Sequence, residues 1–352
     1  MPRFRLLLLN EFKLARTAIP IHMIPIIQPS LMFLLMALIL VHPTFDMNVV
    51  QPVTDEGYAL IEAMQQVGSP IGEPYINPVI VNSAEPKNLR QVISVENRAG
   101  LPTAVQRFGL IDSNQVKNLR NRLTAATLRM WQTELGDRAV TVEEYPWLPA
   151  DLPYTLYFGM AMLPLTVFLA ASLIGGILTA QDFEFFTILE YRLAPVSPVW
   201  VLGARLTRLV LSSLLAGGML LLTLGLYTGI WPRSLWQTGL ILLPVAIIAA
   251  SLGVILGLLF RRSIPAFVSG LIFSLAGWLF GSAFGPAASF GGMYEQVSYL
   301  TPNAYAVELL FPCFYGIQMG QPALAALVLT LLSAGMLMLV SLTYHWRLTK
   351  QG

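Results

Sequence analysis

The densest set of side chains able to do chemistry lies between two long apolar runs, in Gln181 to Trp200, QDFEFFTILEYRLAPVSPVW. Asp182, Glu184, Glu190 and Arg192 stand among Phe183, Phe185, Phe186, Ile188 and Leu189, and Pro195 and Pro198 close the run. This pattern predicts a short amphipathic helix stopped by proline. Such a helix either inserts into a groove on a partner protein or anchors its two neighbouring helices. Elsewhere reactive groups are sparse. The four lysines, Lys13, Lys87, Lys117 and Lys350, never follow a glycine, so the chain lacks the G-x-x-x-x-G-K phosphate loop. His22, His42 and His345 show no metal-ligand spacing. Cys313 is the single cysteine, which excludes an intramolecular disulfide. It is read as a buried thiol, with a bridge to a second copy as the alternative. No nucleophile and base stand in a readable arrangement, so the chain is expected to be no enzyme, with no cofactor or metal of its own.

The elements that position these residues follow from composition. Of 352 residues, 55% are hydrophobic and 11% charged, against about a quarter charged in a soluble globular chain. A membrane helix needs about 20 mostly apolar residues. Six segments qualify: 18–41, 154–180, 202–229, 237–260, 264–285 and 322–345. The first carries Pro20, Pro25, Pro29, His22 and Gln28. Proline kinks a helix and frees a carbonyl, so this span is expected to face protein or water. No Asp or Glu falls at mid-depth of any span, which disfavours a proton- or ion-coupled carrier.

Residues 1–17 are read as an amphipathic lead-in helix on the inner membrane surface. With the N-terminus inside, the inner segments hold eleven Lys and Arg, and the short outer loops hold only Arg233. That bias places both termini, including the tail 346–352, in the cytoplasm of a cell-membrane protein. Arg205 and Arg208, at the inner end of the third span, are expected to snorkel to the interface.

Residues 43–153 differ in character. They hold nine basic and thirteen acidic residues, a balance that gives no reason to propose nucleic acid as a partner. Val92–Glu96 and Ala139–Glu143 alternate as strands do. Ser113–Leu135 reads as a helix, with Val116, Leu119, Leu123, Ala126 and Met130 on one face. Pro146–Pro153 reads as a stiff linker. The fold class is therefore a mainly α membrane protein with six transmembrane helices. A mixed α/β extracytoplasmic domain, 43–153, sits between the first and second spans, and a five-helix region, 154–345, follows. That domain is read as a lid on a second copy, or as a gate or docking surface for an extracytoplasmic partner.

The stretch 181–200 resembles the coupling loop of ABC type-2 exporter permeases. Glu184, Thr187 and the Ala194-Pro195-Val196-Ser197 run keep that family's pattern. Phe186 stands where the family has glycine, and Leu189 takes the slot of its glutamate, which here comes one place later as Glu190. A second likeness lies in Ser298–Gly316, SYLTPNAYAVELLFPCFYG, where Thr301, Pro302 and Tyr305 match a Ser/Thr-Pro-x-x-Tyr motif. In that family the motif opens short outer re-entrant helices, here expected within 286–321, with Glu308 on the helix that follows.

The resemblance implies a permease working as a homodimer or heterodimer, each half bound to a cytoplasmic ABC ATPase subunit that binds ATP and Mg. It implies ATPase-coupling roles for Asp182, Glu184, Thr187, Glu190, Arg192 and Pro195, and an outer gate at Thr301, Pro302, Tyr305 and Glu308. The expected cargo is hydrophobic or amphipathic, drug or lipid-like. The alternative is a membrane-anchored receptor or assembly factor that acts through its outer domain without transport. Gly253 and Gly257 form a G-x-x-x-G pair, which serves ordinary close helix packing or a dimer face.

Overall fold

The computed structural model describes residues 2–17, 19–40, 45–68, 74–82, 91–98, 101–108, 113–135, 154–193, 196–285, 292–316, 318 and 320–350. In chain order the elements begin with α1 (Pro2–Thr17), α2 (Ile19–Leu40), β1 (Phe45–Val50), α3 (Asp55–Gln66) and β2 (Ile76–Val81). Then come β3 (Gln91–Arg98), β4 (Leu101–Phe108), α4 (Ser113–Leu135), α5 (Tyr154–Glu184), α6 (Thr187–Leu193) and α7 (Pro198–Thr228). The chain ends in α8 (Leu235–Phe260), α9 (Ser263–Phe280), α10 (Gly292–Ser298), α11 (Pro302–Tyr315) and α12 (Pro322–Lys350). They form two compact units, Ile39–Leu152 and the remainder of the chain.

The smaller unit is a four-stranded sheet in the order β2-β1-β3-β4. β1 runs parallel to β2 and β3, while β3 and β4 are antiparallel with Gln91 opposite Phe108 and Arg98 opposite Leu101. Parallel neighbours need a crossover, and α3 supplies it between β1 and β2. Thr54 caps α3 by accepting from the Gly57 amide. Side-chain alternation turns Met47 and Val49 of β1 and Ile93 of β3 to one face, where they meet Leu60 and Met64 of α3 and Leu119, Leu123 and Ala126 of α4. The helix expected over Ser113–Leu135 is α4, with that apolar face inward. The expected strand Val92–Glu96 lies within β3. The expected strand Ala139–Glu143 and the linker Pro146–Pro153 lie outside the described residues.

In the larger unit five helices are long and apolar enough to cross a membrane: Thr155–Glu184, Pro198–Thr228, Leu235–Phe260, Ser263–Phe280 and Pro322–Arg347. Multiple apolar helices of this length are compatible with a multi-pass membrane protein. The first expected span corresponds to α2, whose apolar stretch Met23–Leu38 is shorter than the other five. Pro25 and Pro29 stand inside it. α12 continues as helix to Lys350, so the expected tail begins as helix rather than as a separate segment.

α5 is the central post. Of its most apolar stretch, 89% is buried, against 22% for those of α9 and α12. Ser172 meets Ser274 of α9 at 2.9 Å, and the Trp278 indole donates to the Ala161 carbonyl at 3.1 Å. Gly253 and Gly257 of α8 face α5 directly. A Cβ at Gly253 would lie 2.5 Å from the Ser172 carbonyl oxygen and 2.9 Å from Ser172 Cα. A Cβ at Gly257 would lie 2.7 Å from the Gly176 oxygen. The G-x-x-x-G pair is thus used inside one chain, where it lets two backbones touch, and not as a dimer face.

Gly253→Ala is expected to cost about 1–3 kcal/mol, because backbone atoms cannot give way to the methyl group. Gly239→Ala, inside α8 with open space around it, should not lower stability and by helix propensity should raise it slightly. Thermal unfolding of the two variants in detergent checks the contrast.

Candidate functional site

The residues with most chemistry converge where the end of α5 meets α1, α6 and α7. Asp182 lies on the last turn of α5. Glu184 ends that helix, Phe185 and Phe186 turn the chain, and α6 begins at Thr187. The turn is made by Phe186 at φ 60°, the left-handed region that favours glycine. That is the position where the resembling family has glycine. α6 is the short helix expected from sequence, and Glu190 falls in its first turn.

Asp182 does not face solvent. It is 7% exposed and makes a two-point ion pair with Arg205 of α7, with Arg205 Nη1 on Oδ2 and Nη2 3.4 Å from Oδ1. The Thr187 hydroxyl donates to Asp182 Oδ1 at 3.1 Å, closing the turn from inside. Glu11 of α1 completes the set. Its Oε1 accepts from Arg205 Nη2 at 3.3 Å and its Oε2 from Arg208 Nη1 at 2.9 Å. The Tyr191 hydroxyl lies 3.4 Å from Arg205 Nη2, with the guanidinium 5.8 Å from the ring centroid. Burial holds the Tyr191 hydroxyl pKa above its usual value, so this group stays neutral beside the ions.

Two carboxylates and two guanidinium groups therefore sit together, away from water. This corrects the expectation that Arg205 and Arg208 snorkel to an interface. They are 2% and 1% exposed, because each finds a carboxylate within the protein and needs no water to carry its charge. The lead-in helix is amphipathic, but Glu11 is on its buried side, while Leu6, Leu9 and Phe12 are exposed. Composition could not reveal Glu11 as a member, since its partners lie 194 and 197 residues away. A lone acidic residue among Leu7, Leu8 and Phe12 was the available signal.

The other expected coupling residues separate. Glu184 is exposed and caps α9, accepting from the Ser263 amide at 2.7 Å and the Ser263 hydroxyl at 2.5 Å. An acidic group at a helix N-terminus is favoured by the orphan amides there. Glu190 is exposed, alongside Phe185 at 69%, Phe186 at 70%, Leu189 at 48% and Leu193 at 86%. Arg192 is in α6, but its side chain lies outside the described residues, as does Pro195.

At α11 the expected outer residues cluster at the helix start. Pro302 takes the first helical position after Thr301. The Thr301 hydroxyl donates to the Ser298 carbonyl at 2.8 Å, and the Tyr305 hydroxyl to the Tyr299 carbonyl at 2.8 Å. These bonds fasten α11 to the turn after α10. Glu308 does not join them. Its Oε1 accepts from the Gln321 amide at 2.7 Å, at the start of α12. Burial raises the Glu308 pKa, and the Gln321 amide opposes that shift. Among the described residues no group of three His, Cys, Asp or Glu side chains could hold a metal ion. The chain matches no family model and no curated protein.

Glu11→Ala leaves Arg208 without its carboxylate, a loss expected to cost about 3–5 kcal/mol. Adding Arg208→Met removes the charge that Glu11 balanced and is expected to recover part of that stability, since Asp182 and Arg205 still balance. Unfolding midpoints of both variants and the wild type measure the order.

Proposed function

We propose that the chain is the membrane-spanning permease subunit of an ATP-driven exporter of the ABC type-2 kind. In this reading α2 is the sixth span, both termini are cytoplasmic, and the α/β unit is extracytoplasmic. Two permease copies pair, each with a separate cytoplasmic ATPase that binds ATP and Mg. The cargo is hydrophobic or amphipathic, drug or lipid-like.

One observation carries this reading. The short α5–α6 connection presents an apolar and acidic surface outward, while Asp182 and Tyr191 are fastened inward to Arg205 of α7, Thr187 bonds Asp182, and Arg205 in turn holds Glu11 of α1. A helix-in-groove contact uses such an exposed apolar face. A partner that binds the outer face and moves would shift α1, α5 and α7 together, because the buried charges resist separation. Its binding energy would then bias one of two helix arrangements. The division of labour refines the site. Phe185, Phe186, Leu189, Glu190 and Leu193 form the docking face, Asp182 and Thr187 position the loop, and Glu184 holds the α8–α9 turn. Thr301, Pro302 and Tyr305 are proposed to shape the outer gate, and Glu308 to join α11 to α12 beside it.

Purification of the complex from its native host, with mass-spectrometric identification of bound proteins, tests this reading. A stoichiometric subunit with a phosphate loop is expected. The combined change Phe185→Ser, Leu189→Ser and Glu190→Lys should abolish its recovery without lowering the thermal stability of the chain. Undiminished recovery would remove the loop from the docking role. Absence of any ATPase from the intact dimer would favour a receptor or assembly factor.

A further inference from the structure

A groove of about 420 Å3 runs between the start of α8 and the end of α11, lined by Trp236, Gln237, Leu240, Ile241, Pro312 and Cys313. The turn that leads into it carries Trp231, Pro232 and Arg233. The Arg233 amide donates to the Cys313 carbonyl at 2.7 Å, which fixes the turn against the groove. One guanidinium nitrogen, Nη2, donates to the Tyr315 carbonyl at 3.3 Å, at the C-terminal end of α11. Arg233 is nevertheless exposed, and a guanidinium has five N–H donors.

Both helices that flank this turn, α7 and α8, are long and apolar enough to cross a membrane. The turn between them then falls at a membrane boundary, and the exposed Trp231 and Trp236 are the side chains that gather at headgroup level. Arg233 stands at the turn beside the groove, and along α8 the lining runs Trp236, Gln237, Leu240 and Ile241. A cation comes first, the Gln237 amide about one turn in, and Leu240 and Ile241 beyond it, with Pro312 and Cys313 lining the groove from α11. From Trp236 to Ile241 this descends roughly 7 Å. The same order of groups runs through a glycerophospholipid, as phosphate, ester and acyl chain. None of the six lining residues is acidic, so no carboxylate in the groove pairs with the ammonium of a choline or ethanolamine headgroup.

We propose that this groove binds one anionic glycerophospholipid, with Arg233 on the phosphate, Gln237 at the ester level and the acyl chain against Leu240, Ile241 and Pro312. Arginine suits this contact because its planar fork binds phosphate oxygens in pairs. The site rests on the membrane placement of α8 and not on export.

Native mass spectrometry of the purified full chain tests it, with dioleoyl phosphatidylglycerol or dioleoyl phosphatidylcholine added in detergent. The wild type is expected to retain an additional phosphatidylglycerol relative to phosphatidylcholine. Arg233→Gln should abolish that preference. Leu240→Trp fills the groove but leaves the Arg233–Tyr315 bond in place, and it should lower phosphatidylglycerol retention to the phosphatidylcholine level. Equal retention of the two lipids by the wild type overturns the proposal. So does undiminished phosphatidylglycerol retention in either variant.

Discussion

Four buried charges constrain the larger unit more than any apolar contact does. Glu11, Asp182, Arg205 and Arg208 lie in a part of the protein where an unpaired ion costs several kcal/mol. The charges balance only when α1, α5 and α7 stand where they do. Tyr191 from α6 and the buried Tyr344 from α12 lie within electrostatic reach of Arg205, so five helices share one centre. Apolar helix faces can slide by a turn and meet similar faces again. A carboxylate held at two points by a guanidinium cannot, because its geometry is directional. The ions are therefore better understood as fixing register than as adding stability.

That distinction changes what the loop after α5 can do. Buried ion pairs are poor sources of net stability, since desolvation offsets most of the attraction. They are costly to break from one side, however. An element attached through them either moves with its partners or stays. The aromatic and leucine side chains on the outer side of the same loop have no such attachment. Inward-fastened and outward-facing groups alternate along a dozen residues of this connection.

Much of this was legible in the sequence. Long apolar runs marked the helices of the larger unit to within a few residues at most ends. The three-and-four spacing from Leu119 to Met130 located α4 and its inward face. The proline at 302 marked the first residue of α11. Pairing across the chain was less legible. Arg205 and Arg208 look like interfacial arginines by position alone, and only the fold brings Glu11 to them. With these two neutralised internally, nine basic residues in the inner segments still face Arg233 alone, so the expected orientation does not depend on them. Gly253 and Gly257 were legible as a packing surface, but not which helix they meet. A small-residue pair specifies close approach and carries no information about its partner.

Phe186 joins the local turn to the buried charges. A bulky residue in the left-handed region costs roughly 1–2 kcal/mol, and an exposed phenylalanine recovers little of that by packing. Regular helix through this point would carry Thr187 and Tyr191 onward along the axis of α5, away from Asp182 and Arg205. The left-handed turn instead folds α6 back, so that Thr187 reaches Asp182 and Tyr191 reaches Arg205. It also leaves Phe185 and Phe186 pointing outward. Glycine would make the same turn without the steric cost, but it would remove one large apolar group from the exposed face. Strained residues persist where surrounding contacts over-determine them, and here those contacts are the buried charges on one side of the turn. The strain at Phe186 is thus the local consequence of fixing the loop from within while keeping an aromatic surface without.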